Sequence, residues 1–411
     1  MNETQYVRDL AKQYALIAND PKQDEKIKLW QDHYDLKETK PVLYTSYYNY
    51  DEYFSVEPAK CTQPFLRIWE MELKKLLFSA VLDHDQVMSP YVTVSAVKAC
   101  SDTMRWGLPV EMSRKPQSNG AAAFKPSLLE ENDLDKLKVP YHRIDEIATM
   151  EKYEKINNLI GDILPIHIDR DPALKVWSGD ISTDIVKLRG HIQFMMDLYD
   201  RPEWVHKILT FMRDGILKVH QEAEEAGDFS SASQGIKFQG QAYSSSTAKP
   251  KPNDYGKKRR ELFIYMAAQE MTSISGDMFY EFMLQYQIPI LEKYRFSAYG
   301  CCEDMTNKID YLKKIKNIKQ IAITPFSNVE ICAEKIGEDY VTSWRPNPSL
   351  VICNGVNEAF VRKYLQEHFR IFKKYKNKVN INLKDIYTFQ KKPYNLIFLN
   401  KIIKEEIRKH F

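Results

Sequence analysis

The chain has 411 residues, 44% hydrophobic and 28% charged, the ordinary balance of a soluble globular protein with ample material for a large core. Its net charge of +3 is too near balance for a nucleic-acid footprint, and the basic stretches "RIFKKYKNKVN" and "NKIIKEEIRKHF" read as solvated helix faces. No run approaches the about 20 apolar residues of a membrane span, and the polar start "MNETQYVRDLAKQYALIAND" has no signal-peptide apolar region, so a cytoplasmic protein with no membrane partner is expected.

Residues 2 to about 37 predict helices broken at "NDPKQDEK". "KPVLYTSYY" (Lys40–Tyr48) is a β-rich first strand opened by proline, and "CTQPFLRIWEMELKKLLFSAVLDHD" follows as an amphipathic helix with Leu66, Trp69, Leu73 and Leu77 on one face. "QVMSPYVTVSA" (Gln86–Ala96) is the second strand. Residues 97 to about 145 then break the rhythm, with turn formers in "GLPVEMSRKPQSNGAAAFKPSL" that suit a hairpin excursion. A helix, "IDEIATMEKYEKINNLIG", leads to the third strand, "DILPIHI" (Asp162–Ile168), and two helices follow, the second opened by Pro202.

"DFSSASQG" is a weak fourth strand, "GQAYSSSTAKPKPNDYGKKRR" a surface loop, and the stretch to Tyr294 a helical block. Thereafter strand and helix alternate: strands "RFSAYGC", "KQIAITPF", "YVTSW" and "VNINLKDI", separated by helical segments. Eight strands, most followed by a helix, predict a TIM (β/α)8 barrel at residues 40–411 with an N-terminal helical extension at 1–39. An open doubly wound sheet would want a Gly-rich phosphate turn, and the chain has no GxGxxG.

In such a barrel the chemistry sits at the C-terminal ends of the strands. That rule selects Tyr48 and Asp51 after the first strand, Tyr91 at the second and His167 at the third. It selects Tyr299, Cys301, Cys302, Glu303 and Asp304 at the fifth, Trp344 and Arg345 at the seventh, and Lys384 and Asp385 at the eighth. "YGCCED" is the densest cluster. Six cysteines without a CxxC pair are not a disulfide scaffold, and neighbouring cysteines rarely bond each other, so reduced thiols are expected.

Thiolate, imidazole and carboxylate are zinc ligands, and a catalytic zinc keeps three protein ligands and an open position. Cys301 and Cys302, with His167 joining from the third strand, are the metal-ligand candidates. Glu303, Asp304 and Tyr299 are the catalytic candidates, and Tyr48, Tyr91, Trp344 and Asp385 those for substrate. On a regular strand the two cysteines would point oppositely, unless Gly300 turns the backbone. The tyrosines of "YTSYYNYDEYF" suit either a β surface or a flat ligand. The acids Asp51, Glu303, Asp304 and Asp385 leave glycoside hydrolysis open, since any barrel mouth supplies carboxylates.

The run "YGCCEDMTNKIDYLKKIKNIKQIAITPFSNVEICAEKIGEDYVTSWRPNPS" resembles the corresponding segment of the uroporphyrinogen decarboxylase superfamily, and more narrowly uncharacterised bacterial decarboxylase-like proteins. "QPFLRIWEMELKKLL", "GDILPI", "LRGHIQFMMDLYDRPEWVHKIL" and "VNINLKDIYTF" are similar as well. The resemblance implies a TIM barrel with one of two chemistries. Decarboxylation of uroporphyrinogen uses an Arg-rich loop after the first strand, and here that loop, "YTSYYNYDEYF", has no arginine. The other branch consists of cobalamin-dependent methyltransferases, which use zinc held by a His-x-Cys pair and a distant cysteine. The matching position here reads Tyr299-Gly300-Cys301.

The resemblance thus implies an enzyme moving a methyl group between a small methylated substrate and a corrinoid on a partner protein, with zinc at the cysteines. A tetrapyrrole or corrinoid binder without chemistry is the alternative.

Overall fold

The computed structural model describes residues 2–100, 104–113, 123–173, 179–232 and 243–411. Among these residues ten strands occur in chain order: β1 (Val42–Tyr47), β2 (Val92–Ser95), β3 (Glu111–Ser113), β4 (Ala123–Lys125), β5 (Ile166–Asp169), β6 (Phe263–Met266), β7 (Phe296–Tyr299), β8 (Ile318–Ile323), β9 (Val341–Trp344) and β10 (Lys378–Ile386). Six form one parallel sheet in the order β1-β10-β9-β8-β7-β6, and β2 and β5 form a second parallel pair. β3 and β4 are the antiparallel hairpin expected of the excursion.

Alternation along the strands assigns the faces of the large sheet. On β10, Val379, Ile381 and Leu383 join the main core beneath the helices, leaving Asn380, Asn382 and Lys384 on the other face. That other face carries its own cluster, in which Tyr44 of β1 meets Phe263 and Tyr265 of β6. β1 and β6 are the two edges of the sheet, so their sharing a cluster means that the sheet curls into a half barrel.

Trp30 and Tyr34, from the helix Lys22–Tyr34, pack into the same concave face. The Trp30 Nε1–H donates to the Asp85 carbonyl (2.7 Å), and the Tyr34 hydroxyl donates to Gln320 Oε1 (2.5 Å). The β2–β5 pair turns Val92, Val94, Ile166 and Ile168 toward Val7, Leu10, Leu73 and Ile156 of three helices.

Eight parallel strands are therefore present among the described residues, but as six plus two. Among the described residues no ladder joins β1 to β2 or β5 to β6. Beside both gaps, residues outside the ladders bond to the strand edges. The Leu43 N–H donates to Asp85 Oδ2 (2.7 Å), and the Asp85 N–H donates to the Leu43 carbonyl (2.8 Å). On β5, the Asn253 amide donates to the Ile166 carbonyl (2.8 Å), and the Ile168 N–H donates to Asn253 Oδ1 (3.0 Å). The stretch around Asn253, expected as a plain surface loop, thus lines a strand edge.

The fourth parallel strand is β6, inside the stretch expected to be helical. Residues 228–232 of "DFSSASQG" form no strand, and residues 233–235 lie outside the described residues. All four β6 residues are buried, and a short run buried on both faces has no alternation to separate it from a helix. No helix among the described residues is long and apolar enough to cross a membrane.

Candidate functional site

The two cysteines lie on one side of the chain because the strand ends in a turn. Gly300 takes φ +104° directly after β7, and a Cβ there would stand 2.9 Å from the Ala322 Cβ. Only glycine suits both the angle and the gap. Gly300→Ala is expected to cost about 1–3 kcal/mol and to separate the thiols, read as a lower melting temperature together with weaker alkylation of Cys302.

With the turn in place, Cys301 Sγ and Cys302 Sγ stand 3.5 Å apart, and both are free thiols. The loop is clamped from two sides. Arg345, 2% exposed, donates to the carbonyls of Cys301 and Gly300, the latter at 2.6 Å. The Tyr265 hydroxyl also donates to the Gly300 carbonyl (2.9 Å). Below the loop, the buried Glu303 carboxylate accepts the N–H groups of Cys301 (2.7 Å) and Ala268 (2.9 Å), which ties the ends of β7 and β6 together.

β10 contributes the remaining charges through a bulge. Thr45 pairs with Leu383 and Tyr47 with Ile386, so Ser46 alone faces both Lys384 and Asp385, and Asp385 takes φ +57°. A bulge of this kind re-aims side chains at a strand end. Lys384 Nζ stands 3.3 Å from Cys301 Sγ, 3.5 Å from Cys302 Sγ and 2.8 Å from Asp385 Oδ2. Asp385 Oδ2 is 3.8 Å from Cys302 Sγ. Tyr48 lies near enough to Lys384, Asp385 and Cys301 to feel their charges.

The hydrogen bond from the Cys301 thiol, with Lys384 behind it, outweighs burial and lowers the Cys302 thiol to about 7. The same bond and burial push Cys301 up, so Cys301 keeps its proton and donates it to the Cys302 sulfur. Burial and Arg345 oppose the Lys384 charge, but the thiols and Asp385 prevail and hold it above its ordinary value. The arrangement can keep a thiolate at neutral pH beside a proton donor. Lys384 and Arg345 were candidates by position alone. The signal for Lys384 was its place in "NINLK", on the face of Asn380 and Asn382.

Several predicted site residues stand elsewhere. Tyr299 points outward from β7, packs on Phe279 and donates to Gln287 Oε1 (2.6 Å), so it is a core residue between sheet and helices. Trp344 also faces outward, stacked on His368 with ring centroids 4.8 Å apart. Glu303 is a clamp whose two oxygens are occupied by backbone N–H groups. Asp304 caps its own turn, accepting from the N–H of Thr306 (2.9 Å) and from its hydroxyl. Tyr91 precedes β2, at the end of that strand opposite the one where mouth groups sit, with its ring edge-on to His167. His167 is buried, accepts from the Asn253 N–H at Nδ1 (3.0 Å) and meets the Ser230 hydroxyl at Nε2 (3.4 Å). Cys301, Cys302, Tyr48 and Asp385 are brought together.

The sulfur spacing of 3.5 Å is near the about 3.8 Å that tetrahedral zinc with 2.3 Å Zn–S bonds would set. The remaining donors do not fit. Among the described residues no three His, Cys, Asp or Glu side chains converge on a metal position. His167 is engaged by Asn253 and Ser230, Asp385 is spent on Lys384, and an ammonium lies against both sulfurs. Zinc held by Cys301, Cys302 and His167 does not match this arrangement.

No known protein-family model matches the chain, and no curated protein matches it. Among solved structures, the chain is similar to a methyltransferase from Methanosarcina mazei at 10% identity and a TM-score of 0.48, over 93% of this chain and 97% of that one.

Proposed function

We propose that the protein is a methyltransferase in which the Cys302 thiolate handles the methyl group. The observation that carries the thiol chemistry is one ammonium, Lys384 Nζ, 3.3 and 3.5 Å from two neighbouring thiols at the C-terminal ends of parallel strands, where barrel and open α/β enzymes place their sites. The choice of methyl as the group rests on the resemblance of the "YGCCED" segment. In this reading the six-stranded sheet and the β2–β5 pair act together as one barrel.

A thiolate is the reactive form of cysteine, and lowering its pKa toward neutrality is how it is activated. The Cys302 sulfur attacks the methyl carbon of a small donor in line with the departing group. The S–C bond forms as the bond from carbon to the leaving group breaks, and the leaving group keeps that electron pair. Cys301 S–H and Lys384 N–H lie against the attacking sulfur and hold it as thiolate, and the departing group takes its proton from solvent. The methyl then passes to an acceptor, and the Cys302 thiolate is restored. The acceptor in this reading is a corrinoid on a partner protein, which supplies a strongly nucleophilic metal centre when bound.

The test is transfer from isotopically labelled methyl ethers and methyl thioethers to reduced cobalamin, read by the methylcobalamin spectrum and by intact mass. Wild type is expected to form methylcobalamin and a methyl adduct at Cys302, with Cys302→Ser lowering the rate at least 100-fold. Spectral binding of cobalamin without transfer from any donor would replace this reading with a binder.

A further inference from the structure

We infer that Lys384 stands where a metal's charge would otherwise be needed, so that the Cys301–Cys302 pair is a metal-free dithiol. The inference rests on the reading of Cys302 as the reacting thiol, but its test needs no methyl transfer.

Two thiols side by side form a soft donor pair that attracts zinc and other thiophilic ions. Such ions activate thiols by supplying positive charge against sulfur. Here that charge is already present. The ammonium touches both sulfurs and is anchored by Asp385 (2.8 Å), a carboxylate 3.8 Å from Cys302 Sγ that is thereby withheld from a metal. Arg345 adds a second buried cation whose two NH2 groups are held on the Gly300 and Cys301 carbonyls.

A divalent ion bound about 2.3 Å from each sulfur would share that small volume with two fixed cations, and the repulsion is strong where water is excluded. The bulge at Lys384–Asp385 is what puts the ammonium there, because Ser46 alone faces both residues across the ladder. The site therefore selects neutral or anionic electrophiles over cations.

Zinc affinity is measured by competition with a chromogenic chelator on wild type, Lys384→Met and Cys301→Ser/Cys302→Ser, with metal content of the purified proteins read by mass spectrometry. Wild type is expected to carry less than a tenth of an equivalent of zinc and to bind no tighter than the cysteine double variant. Its Cys302 alkylation should be indifferent to 1,10-phenanthroline. Lys384→Met is expected to bind zinc at least tenfold tighter than wild type, because the dithiol remains and the ammonium is gone. Stoichiometric zinc in wild type that disappears in the double variant would overturn the inference. So would chelator-sensitive alkylation, or unchanged zinc affinity in Lys384→Met. If Lys384→Met fails to fold, Lys384→Gln serves in its place. Absence of methyl transfer alongside the expected zinc results would remove the proposed reaction and leave the metal-free dithiol standing.

Discussion

Lys384→Met is expected to lower the alkylation rate of Cys302 by iodoacetamide at pH 7, by up to about 15-fold. The wild-type thiol, lowered to about 7, is half thiolate at that pH. An unperturbed thiol near 8.5 is only about 3% thiolate there, which sets the ratio. That figure is the upper limit, because the hydrogen bond from Cys301, the first cause of the lowered value, remains in the variant and Lys384 supplies only part of the shift. The sign follows from the direction of the shift. A depressed thiol is reactive above about 7, and removing its cation moves the whole profile to higher pH. Wild-type labelling should therefore rise through pH 7, and the variant's at a higher pH. Labelling resolved by fragment-ion mass spectrometry separates Cys302 from its neighbour Cys301 and from the other four cysteines. A variant that keeps its midpoint near pH 7 would show that Lys384 does not hold the thiolate.

How much of this was legible beforehand differs from element to element. "VNINLKDI" declares its faces by strict alternation, so both the strand and the inward position of Lys384 could be read. The contact of Lys384 with two sulfurs could not, because it needs a bulge, and a bulge is a property of register against β1. "FIYM" was invisible as a strand because burial on both faces erases its pattern. Tyr299 and Trp344 were chosen by proximity to a strand end, which says nothing about which face the residue takes. Both turned to the helix side, where large aromatics fill space between layers. Glu303 looked like an acid for chemistry because sequence cannot reveal that both oxygens are already occupied. His167 was called by residue type and strand alone, and its partner Asn253 lies 86 positions away in what read as loop.

Glu303→Gln tests the clamp and carries the largest expected effect on stability. The wild-type carboxylate accepts two buried N–H groups, one from the end of β6 and one from the end of β7. A glutamine offers one acceptor oxygen and sets its NH2 against the second N–H, so one buried donor pair is left facing itself. Leaving a buried donor without its charged acceptor costs about 1–3 kcal/mol or more. Loss of the negative charge adds to this, because Arg345 and the buried Lys308 both feel Glu303. Breaking a buried charge arrangement in this way costs about 3–5 kcal/mol, against a total stability of about 5–15 kcal/mol.

The expected result is a fall of that size in unfolding free energy by urea titration, with an unchanged slope. Of the two groups Glu303 ties down, Cys301 is the one that supplies the hydrogen bond to Cys302. A loosened Cys301 N–H should therefore also raise the pH midpoint of Cys302 alkylation in whatever fraction remains folded. If Glu303 were instead an acid acting on substrate, Glu303→Gln would leave both stability and the alkylation profile within error of wild type. The urea midpoint and the labelling midpoint together therefore separate a clamp from a catalytic acid without any knowledge of the substrate.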